Sequence, residues 1–136
     1  MFHEWVIKRL VRLIGVPIED NGLAYWFTAP PGVLMPVCDP VQPDFILVRQ
    51  DRPEVLSGRK VQGVPDLIAE VLSPSNPDHD TNVKRGAYAR AGVPEYWILR
   101  PATQDILVCW QPDPALGDYA QERVLEPDGE LISETL

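Results

Sequence analysis

The chain has 136 residues, enough for one domain with a real core, and its 45% hydrophobic and 24% charged content is that of a folded globular protein. No apolar run approaches the roughly 18 residues of a membrane helix, so no membrane partner is expected. The formal net charge of −8 argues at first sight against nucleic acid. Its distribution weakens that exclusion: residues 1–100 carry 11 Lys/Arg against 12 Asp/Glu, and the acidity lies in residues 101–136, with one basic residue against eight acidic ones.

The first segment, MFHEWVIKRLVRLIG, has basic residues inside an apolar pattern and no cleavage site, which is the wrong layout for a signal peptide. Its apolar positions Trp5, Val6, Leu10, Leu13 and Ile14 predict a helix over 2–14, stopped by Gly15 and Pro17. Leu23–Thr28 (LAYWFT) reads as an aromatic-rich strand, and Pro30-Pro31-Gly32 as a turn into a second strand over Val33–Val37, together a hairpin. Cys38, with Cys109 further on, is one of only two cysteines. That is too few for a disulfide framework or a zinc site, so both are read as free thiols of a cytoplasmic protein. Asp44–Arg49 (DFILVR) is a short apolar strand, and the polar stretch Asp51–Gly63 is expected to be an exposed, mobile loop.

The next stretch, PDLIAEVLSPS over Pro65–Ser75, organises the chain. Its six-residue apolar run, Leu67–Leu72, is too short for a helix and reads as a buried strand. Alternation puts Leu67, Ala69 and Val71 on one face and Ile68, Glu70 and Leu72 on the other. Both faces are apolar, so Glu70 is buried, and a buried carboxylate is costly unless paired, hydrogen-bonded or bound to metal. Residues 76–80 offer helix caps for a helix over Thr81–Ala91, which Gly92 and Pro94 end. Tyr96–Leu99 and Ile106–Trp110 form a hairpin, and Tyr119–Leu125 is a further strand. The order implies an α/β fold, with a mixed central sheet flanked by helices, in a single domain over 1–136.

Asp44 opens one apolar strand and Glu70 sits inside another. If the two strands are neighbours, the carboxylates converge, and two oxygen ligands completed by waters suit Mg²⁺ or Mn²⁺. Such an ion activates a water and neutralises charge developing on a phosphate. Lys84, on the following helix, is the best candidate for the remaining cation, a compact charge on a flexible stem.

PD at 43–44, Glu70 within PDLIAEVLSPS, and KRGAYARAGVPEYWILRP from Lys84 to Pro101 resemble the Uma-type endonucleases of the PD-(D/E)xK superfamily. The resemblance implies a restriction-endonuclease-like core and a metal-dependent endonuclease acting on nucleic acid, DNA first. In it Asp44 and Glu70 are metal ligands and catalytic residues. The lysine that usually stands two residues after the acid falls at Leu72, so the resemblance implies that the role has moved to Lys84. Glu4 loosely matches an acidic residue often placed near the metal. The end at Leu136 is expected to be short for the family, and a homodimer is the candidate assembly. The alternative is an inactive nuclease-fold protein serving as a binding or assembly module.

Each residue has a plainer reading. Asp44 follows a proline and can cap a turn. Lys84 has Asp80 four residues before it, an ion pair worth only about 0.2–0.5 kcal/mol. Asp66 reads as structural, Tyr88 as core or site wall, and Tyr96 and Trp97 as packing under the sheet. Arg49, Arg52, Arg59, Lys60, Arg85 and Arg90 read equally as phosphate contacts or as a solvated face.

Overall fold

A computed structural model of the chain describes residues 8, 11–12, 16–28, 33–35, 43–52, 56–57, 60–72, 77–100 and 105–125. Among them are two helices, α1 (Val16–Asp20) and α2 (Pro77–Ala91). The strands are β1 (Ala24–Thr28), β2 (Val33–Leu34), β3 (Phe45–Arg49), β4 (Leu56–Ser57), β5 (Lys60–Gln62), β6 (Leu67–Val71), β7 (Glu95–Arg100), β8 (Asp105–Asp113) and β9 (Asp118–Leu125). The main sheet runs β1-β3-β6-β7-β8-β9, and a small sheet runs β2-β5-β4. The main sheet is mixed but mostly antiparallel: its parallel pair is β6 with β7, and α2 provides the crossover that parallel neighbours require.

Alternation along β3, β6 and β7 builds two apolar layers. Ile46, Val48, Ile68, Tyr96 and Ile98 face Tyr88 and Ala89 of α2 together with Val33 and Val61 of the small sheet. Phe45, Leu47, Leu67, Ala69, Trp97 and Leu99 face the other way, toward Val11 and toward Ile18 of α1. Each buried Ile, Leu or Val contributes about 1.5–3 kcal/mol, which is why the central strands are apolar on both faces. The fold is thus the mixed α/β sheet flanked by helices that the sequence implies.

Gly92 ends α2. Its φ is +85°; its N–H donates to the Ala89 carbonyl at 3.1 Å, and the Val93 N–H donates to the Tyr88 carbonyl at 3.0 Å. This paired pattern closes the last turn and suits a residue without Cβ. A Cβ at this position would meet nothing within 4 Å, so Gly92→Ala carries only the backbone penalty. We expect that variant to lose about 1–2 kcal/mol of stability in denaturant unfolding. No loss would show that this helix end relaxes freely.

Three expectations are corrected. Strand β1 does not form a hairpin with β2: it pairs with β3, Ala24 opposite Arg49, while β2 runs parallel to β5 in the small sheet. A tight hairpin wants Asn-Gly or Gly-X at its centre, and Pro30-Pro31-Gly32 is not of that type. Residues 51–63 are not all loop, since β4 and β5 pair with Ser57 opposite Lys60 and Val61 is buried. The Gly58-Arg59 pair between them is the overlooked hairpin signal. Helix α2 begins at Pro77 rather than Thr81, because proline is well suited to a first helical position. Most of the helix expected over 2–14, with Glu4, lies outside the described residues, as does Cys38. Cys109 is a buried free thiol. Among the described residues no helix is long and apolar enough to cross a membrane.

Candidate active site

Strands β3 and β6 are antiparallel neighbours with Phe45 opposite Ala69. Asp44, one residue before Phe45, therefore comes alongside Glu70, one residue after Ala69. Asp44 is half-buried, and its Oδ2 accepts a 2.8 Å hydrogen bond from the Val71 N–H. This bond ties Asp44 to the neighbouring strand, 27 residues away, rather than to a turn of its own.

Glu70 is 7% exposed and stands on the face of β6 that α2 covers. Its Oε1 accepts from the Tyr88 hydroxyl at 3.0 Å and from Lys84 Nζ at 3.4 Å. Its Oε2 accepts from the Tyr96 hydroxyl at 3.0 Å. These three groups are the compensation that a carboxylate in an apolar strand demands. Lys84 and Tyr88 are four residues apart, so one face of α2 delivers both over the strand. Tyr96 reaches Glu70 because it stands on β7 opposite Ile68, on the same face of the sheet.

Burial pushes the Glu70 carboxyl above its ordinary range; the Lys84 charge and then the Tyr96 and Tyr88 hydroxyls pull it back, while Asp44 pushes it up again. The Asp44 contribution is that of a like charge close by. Burial, reinforced by the Glu70 charge, also raises the Tyr96 phenol far above its normal range, so it remains a donor at all working pH values.

The donor set fits a hard divalent cation. A carboxylate oxygen accepts two hydrogen bonds, and among the described residues Glu70 Oε2 has one donor, Tyr96, which leaves it a lone pair. Mg²⁺ commonly takes one or two carboxylates and completes its shell with water and phosphate oxygens. Among the described residues no group of three or more His, Cys, Asp and Glu side chains gathers, as a closed protein cage would need.

Asp44, Glu70 and Lys84 are therefore brought together. Leu72 lies half-buried against the core on the Glu70 side, and its N–H donates to the Leu99 carbonyl at 2.8 Å. Sequence reasoning overlooked Tyr88 and Tyr96 as Glu70 partners; the signal was two aromatic hydroxyls in elements flanking a strand that holds one buried acid. The same reasoning applied to Glu95, a fully buried strand carboxylate, leads elsewhere. Glu95 faces the other layer and accepts from Trp97 Nε1 at 2.8 Å. Asp66 is structural, as read: it accepts from the Arg49 N–H and from Arg52 Nη1, each at 2.7 Å. Three of the arginines considered for phosphate contact are engaged by carboxylates. Arg49 pairs with Asp51, Arg52 with Asp66, and Arg85 with Asp118 and Glu122.

Compared with known protein families, residues 1–136 match the family model Uma2, described as a putative restriction endonuclease. The chain belongs to the Uma2 family. Among solved structures, a crystal structure of a putative nuclease belonging to DUF820 from Anabaena variabilis is similar with a TM-score of 0.78 and 18% identity. The match covers 96% of this chain and 71% of that one. At that identity the likeness speaks for the fold of this Uma2 chain alone. No curated protein matches it.

Proposed function

We propose that this chain is a metal-dependent endonuclease that hydrolyses phosphodiester bonds in nucleic acid, with DNA as the substrate. Asp44 and Glu70 hold Mg²⁺ or Mn²⁺, and Lys84 stabilises charge on the phosphate in the transition state. The observation that carries this reading is Lys84 Nζ at 3.4 Å from Glu70 Oε1. A lysine from α2 thereby stands beside the strand acid although Leu72 occupies the usual place in the strand. Membership of a family described as a putative restriction endonuclease supports the reading.

When bound, the ion supplies a Lewis acid and lowers the pKa of a coordinated water. The chain supplies the rest. Glu70 is held in place by three donors, and Asp44 is tied to the backbone of β6 through Val71. The Lys84 side chain is 36% exposed, so its ammonium can leave Glu70 and meet a phosphate arriving from solvent. No covalent intermediate is required.

The test is digestion of plasmid, single-stranded DNA and RNA with Mg²⁺ or Mn²⁺, beside Glu70→Ala. We expect metal-dependent cleavage of DNA that Glu70→Ala lacks. Either metal should also raise the melting temperature of the wild type by mass action, and do so much less for Glu70→Ala. Leu72 and the carboxylate-paired arginines favour the second reading, an inactive nuclease-fold binding module. Nucleic-acid binding without cleavage in any metal would establish it.

A further inference from the structure

We infer that Tyr88 and Tyr96 are positioning residues that aim the Glu70 carboxylate at the metal; this rests on the proposed function above. Each hydroxyl lies 3.0 Å from a different oxygen of Glu70, Tyr88 at Oε1 and Tyr96 at Oε2. The two phenols come from different elements, α2 and β7, and their rings meet edge to face with centroids 5.0 Å apart at 82°. Their exposures are 0% and 1%, so neither side chain has room to swing away.

The chemistry of a terminal carboxylate makes this pairing matter. The last torsion of glutamate is broad and barely prefers any angle, so a buried Glu fixes its backbone position but not the plane of its two oxygens. One donor on each oxygen fixes that plane. It also divides the lone pairs: Oε1 is filled by Tyr88 and Lys84, and Oε2 keeps one open. The open lone pair is thus on the oxygen that, among the described residues, Tyr96 alone holds. Phenylalanine at 88 or 96 would fill the same space in the core and lack only the oxygen. The packing role and the orienting role can therefore be separated by one atom.

The experiment measures the Mn²⁺ dissociation constant, by electron paramagnetic resonance of free Mn²⁺, for wild type, Glu70→Ala, Tyr88→Phe and Tyr96→Phe. Metal-free melting and circular dichroism are recorded beside it. We expect saturable binding in the wild type, its loss in Glu70→Ala, and binding weakened roughly 10–100-fold in each tyrosine variant with the fold retained, the range typical when the partner of a metal ligand is removed. A purely structural role moves the melting temperature and leaves the dissociation constant alone. Wild-type affinity in the tyrosine variants, with Glu70→Ala inactive in binding, overturns the positioning role and leaves the metal site standing. Absence of saturable binding in the wild type overturns the metal site and this inference with it. Should one tyrosine variant fail to fold, the other, on a separate element, decides.

Discussion

Glu70→Ala should abolish divalent-metal binding and also weaken the metal-free fold, whereas Glu70→Gln should abolish binding and leave that fold as stable as the wild type or more so at neutral pH. Two neighbouring carboxylates taken alone predict that removing either one relieves repulsion and stabilises the metal-free protein. The hydroxyls of Tyr88 and Tyr96 change the outcome for alanine. Both are buried and both donate to Glu70, and a buried polar group deprived of its partner costs about 1–3 kcal/mol. Glutamine keeps the volume and an acceptor oxygen, and a tyrosine hydroxyl can turn to accept from its amide. It also removes the charge that burial penalises. The pH dependence follows with a definite sign. The folded state holds the Glu70 proton more tightly than the unfolded chain does, above the ordinary value of 4.5. Its contribution to stability is complete below that value and is lost as pH rises through the folded one. Glu70→Gln removes this decline. Metal binding needs the ionised carboxylate, so the melting shift produced by Mn²⁺ in the wild type should grow with pH over the same window. Melting curves against pH, in chelator and in Mn²⁺, test both statements. A Glu70→Gln protein with the wild-type decline would show that another group titrates there.

What the sequence made legible was what its periodicity controls. The run Leu67–Leu72 has only one good conformation, because its length excludes a helix and both its faces are apolar. Its alternation grouped Glu70 with Ile68 and Leu72, and that face is the one α2 covers. Gly92 likewise announced the end of the helix. Pairings that depend on distant partners were less visible. Strand β1 prefers the apolar β3 over the nearer β2, and no local pattern states that choice. The small strands β4 and β5 are too short to carry periodicity. At the site, the acid and the lysine could be named because charges in or beside a buried strand are rare. The tyrosines were passed over, since an aromatic ring in a core needs no explanation until its hydroxyl is seen 3.0 Å from a carboxylate. Glu95 marks the limit of that reasoning: the same pattern, a buried acid in an apolar strand, there serves the opposite layer and a tryptophan.

Lys84→Ala should reduce cleavage by roughly 10²–10³ while leaving metal binding intact, the usual cost of losing one group that stabilises transition-state charge. Leu72 leaves β6 without a lysine, so the cation must come from another element, and α2 delivers Lys84 Nζ to within 3.4 Å of Glu70 Oε1. That contact also supplies the rival account, in which Lys84 is only the counter-ion of a buried acid. The two accounts differ in what metal does to the pair. An ion bound at Glu70 replaces the lysine as counter-charge, so a mere counter-ion becomes dispensable once metal is present. Its removal would then leave turnover normal and metal affinity equal or tighter, because a competing cation is gone. A lysine that serves the phosphate is instead needed most when the metal is bound, and its loss appears in turnover and not in the Mn²⁺ dissociation constant. Asp80→Ala provides the control for the i,i+4 pair suggested by sequence spacing. It should cleave nearly normally if Lys84 acts at the phosphate. Full turnover by Lys84→Ala at saturating Mn²⁺ would remove the lysine from the site, and equal defects in Lys84→Ala and Asp80→Ala would make the pair structural.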